Sequence, residues 1–185
     1  MASRPIGLSR DLPAKRVMRA SVDGNDLTVW RASDGTIAAW DNRCPHRGMA
    51  LSHGFVRGNS LACLYHGWHY DASGRCSYIP AHPDLEPPAT IHTVSHGVTE
   101  VDGVIWVSLD DEATGEAHGL APLRSFIADA SQARVHAACA QTALDGQMPQ
   151  VVGNGRFTFG DETITFSGQA EVTIDGGFDG AVGSG

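Results

Sequence analysis

Apolar and polar residues alternate with a period of two over residues 15–22, 26–33 and 36–42, the pattern of strands that bury one face. Asp23-Gly24-Asn25 and Asp34-Gly35 separate these segments, and an Asp-Gly pair between alternating runs is a strong hairpin signal. Three antiparallel strands are therefore predicted to come first. Short strands are predicted near 54–57, 60–64, 68–71 and 74–78, punctuated by Gly58-Asn59 and Ser73-Gly74. A long pair closes the domain, running from about Ile91 to Val101, turning at Asp102-Gly103 and returning through Val104-Ile105-Trp106-Val107 with the apolar density of a buried strand. Between these groups, Pro80-Ala81-His82-Pro83 and Glu86-Pro87-Pro88 break any regular element.

The segment DDEATGEAHGL, Asp110 to Leu120, is charged and turn-rich. It divides the chain into a domain at residues 1–110 and an acidic extension of unknown role at 111–185. The extension is expected to be short and α+β. Asp129 and Gln132 fit a capping box for a helix whose modest apolar face is Ala133, Val135, Ala138, Cys139 and Leu144. The stretch GRFTFGDETITFSGQAEVTID then predicts two or three short strands around Gly160-Asp161, and the final GGFDGAVGSG is expected to fray.

At 185 residues and 42% apolar content the chain can bury one ordinary core with a small appendage. It has no run of about 18 apolar residues, and MASRPIGLSRDLPAKR lacks the apolar stretch of a signal peptide, so a cytoplasmic protein with no membrane contact is expected. Residues 1–109 carry ten Lys or Arg and ten Asp or Glu, whereas residues 110–185 carry three and eleven, so the net charge of −8 lies in the second half. No basic stripe exists, which argues against a nucleic-acid partner. Arg43, Arg47, Arg57 and Arg75 do cluster in sequence around the segment discussed next, as a basic collar for an acidic partner or as ordinary solvated side chains.

Cys44-Pro45-His46 and Cys63-Leu64-Tyr65-His66 are a CxH and a CxxH pair separated by sixteen residues, which the predicted strands put at the tips of two hairpin loops. Each offers one thiolate and one imidazole, a ligand set that suits a [2Fe-2S] cluster with two cysteines on one iron and two histidines on the other. Gly48 and Gly67 follow the pairs and would let each loop turn tightly and direct N–H groups at the sulfurs. Two cysteines and two histidines also suit tetrahedral zinc, although zinc fingers usually present a Cys-Cys and then a His-His pair, and here each pair is mixed.

The segment CPHRGMALSHGFVRGNSLACLYHGWHYDASGRC resembles the cluster-binding segment of Rieske non-haem iron oxygenases and their ferredoxins. The likeness extends from LSRDLP at Leu8 to Pro13 through VDGVIWVSL ending at Leu109. It implies a Rieske-type antiparallel β sandwich with a small cluster-binding subdomain. The implied cofactor is a [2Fe-2S] cluster held by Cys44, His46, Cys63 and His66, with Arg47, Gly48, Gly67, Trp68 and Tyr70 around it, and the proline-rich loop would cover it. The cytochrome bc type carries an additional, disulfide-linked cysteine in each loop, where this chain has Met49 and Tyr65. It also has a serine donor where this chain has Trp68. Losing that donor implies a potential near the low end of the range, about −150 mV.

A Rieske oxygenase α subunit also needs a mononuclear iron held by two histidines and a carboxylate, written DxxHxxxxH. Nothing after Leu109 matches, since only His118 and His136 occur there and neither has an acidic residue three positions before it. The expected function is therefore electron transfer, as a carrier or module passing single electrons from a flavoprotein reductase to an oxygenase component, with no catalytic residue in this chain. The alternative is a truncated or divergent oxygenase α subunit, an aromatic-ring hydroxylase or demethylase. His53, His82, His92 and His96 are expected at the surface or in packing, and His69 beside the second loop is a candidate for tuning it. Cys76 and Cys139 are expected to be plain thiols. Trp30, Trp40 and Trp106 should be core residues.

Overall fold

The computed structural model describes residues 2–115, 117, 130, 132–143, 146–153, 156–159 and 162–165. The described residues form two compact units, one drawn from residues up to 117 and the other from residue 130 onward. The first contains β1 (Arg4–Leu8), β2 (Arg16–Val22), β3 (Asn25–Arg31), β4 (Ile37–Asp41), β5 (Phe55–Arg57), β6 (Ser60–Ala62), β7 (His69–Asp71), β8 (Cys76–Tyr78), β9 (Ser95–Val101) and β10 (Val104–Ser108). Six strands form an antiparallel sheet in the order β1-β10-β9-β4-β3-β2, and four form a small meander, β5-β6-β7-β8. Arg4 Nε donates to Asp23 Oδ1 at 3.2 Å, so the two edges of the large sheet nearly meet.

All three Asp-Gly hairpins form: φ is positive at both residues of Asp23-Gly24 (48° and 79°) and of Asp102-Gly103 (50° and 74°), and at Gly35 alone (94°) in the turn joining β3 to β4. The alternation then divides the apolar side chains between two cores. Met18, Ala20, Val22, Leu27, Val29, Ala39, Ile105 and Val107 line the concave side of the large sheet. Trp30, Trp40, Leu51, Leu61, Tyr70 and the two motif cysteines fill the space between the two sheets. The centre of β3, Leu27 to Trp30, is buried on both faces, whereas the alternation in its sequence predicts one. Trp30 lies opposite Ala38 in the register, and its ring meets Trp40 edge-on at 5.1 Å. Trp106 is also buried, as expected.

Three features depart from the sequence reading. The first is β1, which lies at an edge, pairs only with β10 and carries a register shift between Pro5 and Gly7. Proline and glycine hide such a strand from any periodic pattern, and an edge is where proline is tolerated. The second is the start of β9, at Ser95 rather than near Ile91. Residues 91–94 instead join the two sheets: Cys76 N–H donates to Ile91 O, Thr93 N–H to Gly74 O, and Asp41 N–H to Val94 O. The third is the first motif loop. Only the CxxH loop is a hairpin tip, between β6 and β7; the CxH loop crosses from β4 of the large sheet to β5 of the small one.

The second unit holds α1 (Gln132–Cys139) and a three-stranded antiparallel sheet of β11 (Gln150–Gly153), β12 (Arg156–Phe159) and β13 (Glu162–Thr165). Phe157 is buried there, with the His136 ring edge-on to it at 6.1 Å. β11 was not expected from the sequence. The capping residue Asp129, along with Leu144, Gly160-Asp161, His118 and the last ten residues, lies outside the described residues. Among the described residues no helix is long and apolar enough to cross a membrane.

Arg31 fastens β3 to β9 across β4. Its Nη1 and Nη2 donate to Glu100 Oε2 and Oε1 at 2.7 and 2.6 Å, and its Nε donates to Leu12 O at 2.7 Å. The Arg31 bond holds the Glu100 carboxyl below its ordinary value against a smaller opposing effect of burial. A depressed carboxyl stabilises the fold above its unfolded-state value, and that contribution is lost as pH falls through the folded one. Glu100→Gln should therefore cost about 1–2 kcal/mol at neutral pH, with the difference from wild type vanishing in acid when urea midpoints are compared across pH.

Candidate metal centre

The two motif loops are built on one hydrogen-bonded frame. Cys44 N–H donates to Met49 O (2.8 Å) and Gly48 N–H to Cys44 O (2.8 Å); Cys63 N–H donates to Trp68 O (2.9 Å) and Gly67 N–H to Cys63 O (3.0 Å). In both loops the glycine four residues after the cysteine has φ near 70°, at 71° and 67°, which closes the turn and is costly for any residue with a Cβ. The sequence signal for this frame is C-x-x-x-G, present in both loops whatever the histidine spacing. A Cβ on Gly67 would stand 3.1 Å from Pro80, so the proline-rich loop packs on the second motif.

The frame leaves other N–H groups free to face sulfur. His46 and Arg47 direct theirs at Cys44 Sγ, while Tyr65 and His66 direct theirs at Cys63 Sγ. The N–H groups of Gly48 and Gly67 are committed to carbonyl oxygens instead. Both cysteines are buried and their thiols bond one another. That mutual bond, aided by the Tyr70 hydroxyl and by the two N–H groups, outweighs burial and pulls the Cys44 thiol down to about 5. Cys63 moves up, because it holds the proton the pair shares and because it is buried. Tyr70 Oη lies 3.2 Å from Cys44 Sγ, and burial, reinforced by that contact, pushes its hydroxyl up, so it remains protonated as a donor.

The imidazoles face the other way. His46 is half-buried and His66 exposed, with ring centroids 4.6 Å apart. Trp68, carried by the second loop, lies flat on His46 of the first, at 4.1 Å and 6°. Tyr65 tilts over His66 at 3.8 Å. Each candidate ligand ring is thus backed by an aromatic, an arrangement the loop sequence alone did not reveal.

The base of the first loop is pinned by Asn42, which belongs to no motif in the sequence. Its Oδ1 accepts from Thr28 Oγ1 (2.6 Å) and Ser52 N–H (2.8 Å), and its Nδ2 donates to both Asp26 oxygens (3.2 and 3.1 Å). Buried amides of this kind hold both ends of a crossing loop at once.

Two sulfurs on one side and two imidazoles on the other fit a two-iron cluster better than a single ion. Among the described residues no three His, Cys, Asp or Glu side chains converge as they would around one metal. The family model of the Rieske [2Fe-2S] domain matches residues 3–94. The chain carries a Rieske domain. Its cofactor is accordingly a Rieske-type [2Fe-2S] cluster.

Relatives of this Rieske domain include the oxidoreductase NdmD of Pseudomonas putida, 42% identical over 106 residues, which make up 57% of this chain and 18% of NdmD. The 4beta-methylsterol monooxygenase of Methylococcus capsulatus is 37% identical over 109 residues, 57% of this chain and 29% of that protein. Among solved structures, NdmA from Pseudomonas putida CBB5 superposes with a TM-score of 0.55 at 32% identity, covering 59% of this chain and 34% of NdmA. The chain thus spans less than a third of the length of these two relatives.

The other histidines lie outside the two motif loops themselves. His53, His82 and His92 are exposed, and His92 Nδ1 lies 3.0 Å from Thr93 O. His96 Nε2 lies 2.7 Å from Asp41 Oδ1. His69 Nδ1 lies 3.1 Å from Ser60 Oγ, its ring is edge-on to Tyr78, and burial, with a smaller contribution from Arg57, lowers its pKa. Cys76 and Cys139 are free thiols, both shifted up chiefly by burial.

Two outcomes follow from the geometry. Tyr70→Phe removes a donor to the Cys44 sulfur, whose charge grows on reduction, and should lower the potential by about 20–60 mV as read by protein-film voltammetry. Asn42→Ala should cost about 2 kcal/mol in urea unfolding, with faster loss of visible absorbance on incubation than in Thr28→Val, which removes one bond of the network rather than four.

Proposed function

We propose that this chain delivers single electrons from a flavoprotein reductase to a Rieske-type oxygenase, either as a carrier or as the Rieske module of a longer protein. In this reading Cys44 and Cys63 hold one iron and His46 and His66 the other. Arg47, Gly48, Gly67, Trp68 and Tyr70 shape the surroundings, residues 1–110 form the redox domain and residues 111–185 a separate extension. The carrying observation is polarity: the thiols are buried against the tryptophan core, while the imidazoles reach the surface.

When bound, the cluster supplies a one-electron couple. The chain keeps water from the sulfurs, directs N–H groups and the Tyr70 hydroxyl at them, and leaves the His66 edge open to a partner. Leu64 and Tyr65, both more than half exposed, border that edge with the apolar surface a docking partner would cover. The similarity to NdmD, named an oxidoreductase, and to monooxygenases supports a place between reductase and oxygenase. A cytoplasmic location is part of the proposal, since it would keep Cys76 and Cys139 reduced.

A second reading, a partial oxygenase α subunit, is favoured by the similarity to the 4beta-methylsterol monooxygenase and opposed by the lack of DxxHxxxxH after Leu109. Iron, acid-labile sulfide and zinc measured on one anaerobic sample show whether this chain holds the second iron of an oxygenase. About two irons per two sulfides is the expected result. About three irons per two sulfides would mean an additional mononuclear iron and an oxygenase, and zinc without sulfide would refute both readings.

A further inference from the structure

A cleft of about 310 Å³ lies on the outer flank of the first loop. Arg43, Arg47, His46, His92, Asp41 and Val94 contribute to its lining. No residue of the second loop does, and Cys44 forms part of its floor, so the cleft opens on the first loop's side of the site. Arg43 and Arg47 are exposed, and neither has an ion-pair partner among the described residues. The Arg43 guanidinium folds over the loop, 3.5 Å from where a Cβ on Gly48 would stand. The acidic group here, Asp41, already has His96 Nε2 at 2.7 Å from its Oδ1. The other arginines near the motifs do not line the cleft: Arg57 lies over the Phe55 ring and Arg75 pairs with Glu86.

We propose that this cleft, where Arg43 and Arg47 flank His46, receives a carboxylate-bearing surface of the redox partner. The inference rests on the electron-transfer reading above and adds the partner's chemistry to it. Residues 1–109 carry no net charge and the −8 lies in residues 110–185, so the chain's overall charge offers an acidic protein no attraction. Arg43 and Arg47 outnumber Asp41, the one acidic residue of the lining, so the cleft is locally positive and favours an orientation that brings the adjoining imidazoles, 4.6 Å apart, to the partner. The cations act within about 8–10 Å at moderate salt, roughly the reach of the first loop itself, so the steering is confined to this face.

The sign of the local field can be read with small oxidants. The reduced full-length protein gives one electron to ferricyanide, forming ferrocyanide, or to tris(phenanthroline)cobalt(III), forming the cobalt(II) complex, and both rates are followed by stopped flow. The ferricyanide rate is expected to fall as sodium chloride is raised, against the trend that a net −8 protein dictates. Arg43→Glu and Arg47→Glu should each slow it about threefold, and the double variant about tenfold, at low salt. Each should speed the cobalt reaction. Arg10→Glu makes the same change in net charge outside the cleft and should alter either rate less than twofold; Arg43→Gln serves if the reversals fail to fold. Poly-L-glutamate should slow the ferricyanide reaction of the wild type and not that of the double variant.

A ferricyanide rate that rises with salt, or an Arg10→Glu effect equal to that of Arg43→Glu, would overturn the proposal. So would inhibition by inorganic phosphate equal to that by poly-L-glutamate at matched ionic strength, which would mean a small-anion site. The reduced protein's EPR signal is recorded first. Its absence would fail the electron-transfer reading itself, whereas the wrong salt dependence with the signal intact fails the docking proposal alone.

Discussion

Bringing the sulfurs of Cys44 and Cys63 together in a dry pocket is the constraint on which the rest of this domain depends. A buried thiol pair that must ionise has to be compensated by hydrogen-bond donors, because an uncompensated buried charge is expensive. The chain meets the need mainly with backbone, two N–H groups to each sulfur, and adds the Tyr70 hydroxyl from β7. Backbone donors are reliable only if the loops that carry them are rigid, and each further feature of the site supplies rigidity. Asn42 ties the first loop to β3, Pro80 braces the second, and the Trp68 ring spans both.

Much of this was legible from the residues. The Asp-Gly turns fixed where β2 meets β3 and β9 meets β10, and period-two alternation located the strands they connect. Thiol and imidazole at fixed spacing named the chemistry. What the sequence hid was long-range. β1 exists because β10 offers an edge, not because RPIGL favours a strand. The first motif loop is a crossover because Leu51 and the short turn around it drop into the core between the sheets, and nothing local distinguishes that from a hairpin. Asn42 reads as a loop amide until Thr28 and Ser52 arrive beside it, and Trp68, expected around the cluster, gives no sign of which ring it covers until the first loop brings His46 under it.

The two cores have different tasks. The aliphatic one, lined by Met18, Leu27, Val29 and Ile105, closes the large sheet on itself and makes no contribution to the metal centre. The aromatic one, with Trp30, Trp40 and Tyr70, is continuous with the cysteines. β3 is buried on both sides, so strain at the centre would be passed through packed rings to the aliphatic core rather than relaxed in solvent. A small module that can be carried by longer and otherwise different relatives, as the partial coverage of NdmD and NdmA illustrates, benefits from holding its own scaffold in this way.

The repeated frame of the two loops has a consequence for how such sites vary. Cysteine, a glycine four residues on and a carbonyl five residues on fix the backbone in both. The three positions between cysteine and glycine are Pro45, His46 and Arg47 in one loop and Leu64, Tyr65 and His66 in the other, different at every place. Shape and cargo are therefore separable. One turn carries two different tripeptides in this chain, so the backbone frame does not itself dictate which ring reaches the surface or what surrounds it.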